Sequence, residues 1–307
     1  MLVYWLFRLT ILLTRPLPLW LGYGIAAVVA EICYHFFHRQ RRALNENLAW
    51  VLGSSDRRQI DAVARRAFRN FGKFVIDFIH FPVMSRQEVR HRLVFSQWAD
   101  LDEVAHSGRG VLIVTMHFGI WDLGAAALAA YDYPVNGIVD SFRYPKMNEL
   151  VHGSRERLGM KIIPMDRVGP SVFRALRRGE ILAMLIDVPA PEQTILVEFL
   201  GAPAEVSSVP ARIALRTGAW VVPAVVLRGP ERDTIIRPII DVRTARYEPT
   251  GDEERDVYAL TRLIMSTFEP YVRKHPEQWY IFRRVWPALP QPKEEEATLA
   301  SEVGEPT

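Results

Sequence analysis

Cysteine is almost absent from this sequence of 307 residues, which contains Cys33 alone. A single cysteine excludes a framework of disulfide bonds, and the eight histidines are scattered without the Cys/His spacing of a zinc site. The sequence also lacks the Gly-x-Ser-x-Gly elbow of α/β-hydrolases and the Walker loop of P-loop nucleotidases. We therefore predict neither a metal nor a cofactor, and no protein nucleophile of the serine-hydrolase type.

Charge is unevenly placed along the chain. Residues 293–307 contain one lysine and five glutamates, so the formal charge of +3 for the whole chain leaves +7 for residues 1–292. A basic body suggests an anionic partner. The eight tryptophans and fifteen phenylalanines, which are concentrated toward the start of the chain, favour a membrane surface over nucleic acid. The 49% hydrophobic content excludes a disordered chain and allows a large buried core.

Residues 1–45 are the most apolar part of the sequence and are predicted to form a membrane anchor or interfacial helices. Pro16 and Pro18 divide the segment into two helices, and the uncharged stretch 16–30 is short for a membrane span. Trp5, Trp20 and Tyr23 are suited to a membrane interface. A cluster of arginines follows directly and places that end on the cytoplasmic side; they are Arg39, Arg41 and Arg42. A buried helical hairpin in a soluble core is the alternative.

Residues 56–79 are predicted to form an amphipathic helix with Asp56 as its N-cap. Six cations dominate its polar side and would suit anionic headgroups, although such a face can equally be merely solvated; they are Arg57, Arg58, Arg65, Arg66, Arg69 and Lys73.

From Gly110 onward, short β-rich runs alternate with helical ones, which predicts an α/β fold with a central mixed, mostly parallel sheet flanked by helices. We assign residues 46–290 to this domain and expect the acidic tail 291–307 to be disordered. The predicted strands are 111–115, 135–139, 161–164, 181–186, 220–227 and 234–240, and the predicted helices between and after them are 120–131, 147–158, 168–178, 209–216 and 252–274.

The first of these strands is followed at once by His117-Phe-Gly-Ile-Trp-Asp122. Residues five apart on one helix lie about 140° apart around its axis, but Gly119 would let the chain fold back at a strand-to-helix turn. Asp122 could then hold the His117 ring through Nδ1 and leave Nε2 as a general base for a hydroxyl. The alternative is a structural histidine beside an acid that stabilises the start of a helix.

The set of motifs resembles the bacterial lipid A biosynthesis (lauroyl/myristoyl) acyltransferases and their relatives, the phosphatidylinositol mannoside acyltransferases. No single motif is specific, but their order and spacing over about residues 40–285 are. They are Arg42 with Asn45–Leu48, His117–Asp122, Ser141–Lys146, Arg155–Gly159, Leu176–Asp187, Glu198–Ala204 and His275–Trp279.

This resemblance implies that His117 removes the proton from an acceptor hydroxyl while Asp122 orients the imidazole. It also implies substrate-binding roles at Gly119, Trp121, Arg143, Lys146, Arg155 and Glu198. For the arginines and Lys146 the alternative is an ordinary surface position. Glu198 and Leu200 depart from the family's usual residues in their motif. Asp187 is a further candidate because it ends a buried strand at the same sheet edge as His117, although it could simply cap the next turn.

The function expected from the resemblance is an O-acyltransferase that moves a fatty acyl chain from acyl-CoA or acyl carrier protein to a glycolipid hydroxyl, without an acyl-enzyme. Expected partners are a phospholipid surface, the thioester donor and the glycolipid acceptor. We expect a monomer on the cytoplasmic side of the inner membrane. Arg174, Arg177 and Arg178 could supply a docking patch for acyl carrier protein. A non-catalytic lipid-binding protein, or a thioesterase in which His117 activates water, are the alternatives.

Overall fold

A computed structural model describes residues 2–14, 17–94, 98–139, 143–164, 168–229, 235–240 and 247–287. The predicted tail 291–307 lies outside these residues. The helices are α1 (Leu2–Thr14), α2 (Leu19–Phe36), α3 (His38–Leu52), α4 (Arg57–His80), α5 (Arg86–Arg92), α6 (Trp98–Ala105), α7 (Trp121–Ala130), α8 (Pro145–Arg157), α9 (Val168–Arg177), α10 (Val209–Thr217) and α11 (Glu253–Lys274). The strands are β1 (Leu93–Val94), β2 (Val111–Thr115), β3 (Val135–Val139), β4 (Lys161–Pro164), β5 (Ile181–Leu185), β6 (Thr194–Phe199), β7 (Ala202–Ser207), β8 (Trp220–Arg228) and β9 (Ile235–Ile240).

Seven strands form the central sheet in the order β1-β9-β8-β2-β5-β3-β4. The five strands from β8 to β4 are parallel to one another, and β9 joins β8 in the antiparallel direction. The α/β class with a mixed, mostly parallel sheet flanked by helices is therefore confirmed. The crossover helices between parallel strands explain why the sequence alternates between the two patterns.

Both faces of the sheet are covered, as the uninterrupted apolar runs of its strands require. Leu112 and Val114 of β2 belong to one hydrophobic core, which α9, α10 and α11 close. Val111 and Ile113 belong to a second core on the opposite face, closed by α5, α6 and α7. β2 is therefore packed between two hydrophobic layers, which fixes the position of the residues that follow Thr115.

The two N-terminal helices confirm the break at the prolines and pack on the domain through α4. Tyr23 of α2 donates a hydrogen bond of 2.7 Å to the buried Asp77 of α4, which also pairs with Arg92 and Arg228. α2 is long and apolar enough to cross a membrane, alone in this respect among the described residues, and 28% of it is buried. It is thus docked along one side, while large apolar side chains elsewhere on α1 and α2 remain exposed.

The helix predicted for residues 56–79 forms as α4, and the Asp56 carboxylate accepts the Arg58 backbone N–H at 2.9 Å.

The antiparallel hairpin of β6 and β7 was not predicted. Its two-residue turn places Leu200 at φ 55° and Gly201 at φ 88°. A leucine is unfavourable in this left-handed region, and hairpin turns of this kind are usually marked by Asn-Gly or Asp-Gly. Tertiary contacts hold Leu200 instead: its N–H donates to Glu269, and its carbonyl accepts the Trp50 indole N–H.

Candidate active site

His117 stands two residues beyond the carboxyl end of β2, where parallel α/β sheets generally bind ligands. Gly119 turns the chain from the strand into α7 at φ 60°. A Cβ at this position would lie 1.7 Å from the Val226 carbonyl oxygen, so no other residue fits. Gly119 also donates its N–H to the Gln278 carbonyl at 2.8 Å. Its role is to allow this close backbone approach, which fixes the direction in which His117 leaves the strand.

The His117 ring is held by Asp187. Its Nδ1 lies 2.8 Å from Asp187 Oδ1, and its backbone N–H donates to Asp187 Oδ2 at 2.8 Å. β2 pairs in parallel with β5 so that Thr115 is opposite Leu185. His117 and Asp187 each follow two residues later, so they emerge side by side at the same sheet edge.

Charge and burial set the protonation of this pair. Burial of the ring, the largest influence, disfavours the imidazolium, but the charge and hydrogen bond of Asp187 outweigh it and raise the pKa of His117 above its usual 6.5. Burial alone would raise the pKa of Asp187, but the charge of His117 and the hydrogen bonds from His117 and the Trp279 indole hold that pKa below its usual value. A carboxylate that stays ionised accepts the Nδ1–H, which leaves the Nε2 lone pair of the neutral ring available as a base.

Asp122 does not orient His117, and that prediction is wrong in its geometry. Asp122 lies in the first turn of α7 as expected, but Arg155 Nη2 of α8 donates to both its oxygens, at 3.1 and 2.8 Å. The Nδ1 position of His117 is already taken by Asp187. The turn at Gly119 thus directs the imidazole toward β5 and the Asp122 carboxylate toward α8.

A cavity of about 500 Å³ lies beside this turn, and we call it the Trp121 cavity. Trp121 lines it, stacks on Phe74 with ring centroids 4.1 Å apart, and meets the His117 ring edge-on at 4.9 Å. Asp122 and Arg155 are its charged lining residues, while most of the wall is apolar; this wall includes Phe71, Phe74, Val75, Phe78, Ile138, Met160 and Met184. The cavity suits an apolar ligand that carries a polar group beside Asp122 and Arg155.

Three predicted substrate-binding residues lie elsewhere. Arg143 is exposed in a bend before α8. Lys146 is exposed in the first turn of α8, with its amine 5.9 Å from the Tyr4 ring centroid. Glu198 is an exposed residue of β6 whose carboxylate pairs with Arg262 of α11 at 3.1 Å. None of the three lines the Trp121 cavity. The structure therefore does not support a role in this cavity for Arg143, Lys146 or Glu198.

Two residues that the sequence interpretation missed complete the surroundings of Asp187. The Trp279 indole N–H donates to Asp187 Oδ2 at 3.1 Å, and Arg283 Nη2 donates to the Asp187 carbonyl at 2.8 Å. Trp279 closes the last of the recognised motifs, which was the one available signal. Its role could not be read because the partner lies 92 positions earlier in the chain.

The proposed carrier-protein patch is remote from His117. Arg174, Arg177 and Arg178 are exposed at the end of α9 and just after it. Because α9 leads directly into the start of β5, these arginines lie at the amino edge of the sheet, whereas His117 and Asp187 lie at its carboxyl edge. Among the residues that the structure describes, no group of three or more metal-ligating side chains is found.

Comparison with known proteins identifies the family. A family model for bacterial lipid A biosynthesis acyltransferases matches residues 1–287. The chain belongs to this acyltransferase family. It is accordingly an enzyme that transfers acyl groups, and the resemblance drawn from its motifs is confirmed.

Three proteins with similar sequences are distantly related to this chain. A phosphatidylinositol mannoside acyltransferase of Mycobacterium tuberculosis is 21% identical over 260 residues, which covers 82% of this chain and 79% of that protein. The protein of the same name from Mycolicibacterium smegmatis is 20% identical over 283 residues, covering 89% and 88%. A lipid A biosynthesis acyltransferase of Haemophilus influenzae is 20% identical over 278 residues, covering 89% and 80%.

Proposed function

We propose that this acyltransferase moves a fatty acyl chain from an acyl thioester to a hydroxyl of a glycolipid at a membrane surface. The observation that carries the proposal is the His117–Asp187 pair: Nδ1 lies 2.8 Å from a buried carboxylate, and the imidazole packs edge-on against Trp121, which lines an apolar cavity. The glycolipid acceptor is suggested by the substrates named for the relatives, a phosphatidylinositol mannoside and lipid A.

The reaction needs no acyl-enzyme. His117 Nε2 takes the proton of the acceptor hydroxyl as its oxygen attacks the thioester carbonyl. A C–O bond forms, the C–S bond breaks, and the proton passes from His117 to the departing thiolate of acyl-CoA or acyl carrier protein. Asp187 stabilises the imidazolium that exists between these two transfers. The acyl chain of the donor occupies the Trp121 cavity, where burial of each methylene contributes about 0.8 kcal/mol.

The oxyanion formed during attack needs hydrogen-bond donors. The backbone N–H groups of His117, Phe118, Gly119 and Ile120 already have acceptors within the fold. We therefore assign this role to the N–H groups in the first turn of α7, which carry the partial positive charge of a helix start.

Membrane association is part of the proposal. It is supported by the exposed apolar side chains of α1 and α2, among them Trp5, Leu12 and Trp20. Arg57, Arg58 and Arg66 of α4 are also exposed and suit anionic headgroups. We propose that the site faces the cytoplasm at the inner membrane, as the arginines after α2 suggest.

The test is acyl transfer by the purified protein from radiolabelled acyl-CoA and acyl carrier protein to phosphatidylinositol mannoside and to a lipid A precursor. His117→Ala should lower the rate by about 10²–10⁴-fold, the contribution of a general base. His91→Ala is the matched control, because His91 is exposed on α5. Near-normal transfer by folded His117→Ala would contradict the proposal. Release of free fatty acid by the wild type at a rate that does not change when acceptor lipid is added would also contradict it.

A further inference from the structure

A second apolar cavity lies on the outer side of α4, between α2, α3 and the segment that follows α11. This α2–α4 groove has a volume of about 460 Å³ and is lined by thirteen residues, of which Gln40 alone has a hydrogen-bonding side chain other than the Cys33 thiol. Its volume is within the range of about 300–1,000 Å³ typical of small-ligand sites. The groove is thus suited to a hydrocarbon chain.

The groove is open along the side of α2. Ile25, Val29, Phe37 and Val75 line it and remain exposed. Large apolar side chains left exposed together on a folded surface mark a binding or membrane-facing site.

The two ends of the groove differ in polarity. α2 and α4 run antiparallel, since Tyr34 contacts Phe68 while Tyr23 reaches Asp77. Phe282 contacts Phe68 and Phe71, which places it at the end of the groove that also holds Gln40. Next to Gln40, Arg39 is exposed and has no ion-pair partner within the described part of the chain. The opposite end, at Ile25 and Ile76, is apolar throughout.

The polar end of the groove is also the end that leads to the catalytic pair. Phe282 lines the groove, and the next residue, Arg283, donates to the Asp187 carbonyl. Two residues before Phe282, the Tyr280 N–H donates to the His117 carbonyl at 2.9 Å. On the other side, Phe71 and Val75 belong to the walls of both the groove and the Trp121 cavity. Two apolar sites therefore share a wall on α4. The Trp121 cavity reaches the His117 ring through Trp121, and the groove is connected to the His117–Asp187 pair through residues 280–283.

We propose that the α2–α4 groove binds an acyl chain already carried by the acceptor lipid, an inference that rests on the proposed function. The chain enters at Phe282 and Gln40 and extends toward Ile25, so that the headgroup remains between Arg39 and His117. The donor chain fills the Trp121 cavity at the same time. The acceptor is accordingly recognised as an acylated anionic lipid, by its chain as well as by its sugar.

Val29 offers a direct test with a matched control on the same helix. Val29 lines the groove and is 51% exposed, while Val28 is 64% exposed and lies outside it. Val29→Trp should fill the groove and raise KM for phosphatidylinositol mannoside by about 10-fold or more, since several buried methylenes are lost. Val28→Trp should leave KM unchanged. With the deacylated, water-soluble form of the same acceptor, the two variants should behave alike. Equal KM values for both variants with the acylated acceptor would overturn the proposal.

Cys33 gives a second readout that needs no acyl transfer. It lines the groove and is the single cysteine of the chain, so a small water-soluble methanethiosulfonate labels one site. Phosphatidylinositol mannoside should slow this labelling, while its deacylated form should not. Equal protection by phosphatidylcholine would show a groove for any membrane lipid and overturn acceptor recognition; absence of protection would overturn binding altogether. If the wild type transfers no acyl chain, the proposed function fails, but Cys33 labelling still shows whether the groove binds this lipid.

Discussion

Two carboxylates flank the turn that carries His117, and the molecule treats them differently. Asp187, at the end of β5, is 1% exposed and accepts hydrogen bonds from the His117 backbone, the His117 ring and the Trp279 indole. Asp122, in the first turn of α7, is more exposed and faces Arg155. Asp187 therefore sets the tautomer and basicity of His117, whereas Asp122 anchors α7 to α8 and fixes a cation at the Trp121 cavity.

This difference shows that proximity in the sequence does not decide which acid serves a histidine. Asp122 is five positions from His117, and Asp187 is 70 positions away. The parallel register of β2 and β5 brings the distant acid to the ring.

Replacing Asp187 should have the larger effect of the two. In Asp187→Asn, the amide N–H₂ faces Nδ1 and favours the tautomer with the proton on Nε2, which cannot act as a base. We expect kcat to fall by about 10²–10⁴-fold, measured as acyl transfer at saturating donor. Unchanged circular dichroism serves as the folding control. A loss of less than about threefold would contradict the role assigned to Asp187.

Replacing Asp122 should act through Arg155. Asp122→Asn leaves the largely buried Arg155 guanidinium without its counter-charge, so we expect a lower melting temperature and a raised KM for the donor, with kcat reduced by at most about 10-fold. In a double-mutant cycle with Arg155→Met, the two substitutions should be far from additive. Additive effects, or a kcat loss equal to that of Asp187→Asn, would reject this interpretation.

Replacing Glu198 should have the smallest effect. Glu198 and Arg262 are both about half exposed, and such pairs contribute only about 0–1 kcal/mol. Glu198→Gln should therefore keep kcat and KM within about twofold of the wild type. A marked rise in KM for either substrate would restore Glu198 to the site.

Much of the fold could be predicted because its strands are short apolar runs bounded by glycine and charge. The predicted strands 111–115, 135–139 and 161–164 agree with the structure to the residue. The hairpin of β6 and β7 escaped prediction because Leu200 occupies a turn position that is normally marked by Asn or Gly. α3, α5 and α6 were also absent from the prediction.

The residues of the candidate site could largely be predicted from the sequence, but the contacts between them could not. His117, Asp187, Trp121 and Arg155 were all recognised as candidates, and the structure brings them around one turn. Trp279 and Arg283 acquire their roles only when the chain returns to β5. The sequence contains no local pattern for such contacts, because they depend on strand order and register.

The central claim, that Asp187 and not Asp122 governs the basicity of His117, is tested most directly by titration of the His117 ring by NMR in the wild type and two variants. In the wild type the pKa should lie above 6.5 because of Asp187, and kcat/KM should rise with pH through that value as the ring becomes neutral. Asp187→Asn should lower the His117 pKa, and Asp122→Asn should leave it unchanged. A pKa that falls in Asp122→Asn and stays in place in Asp187→Asn would contradict the account.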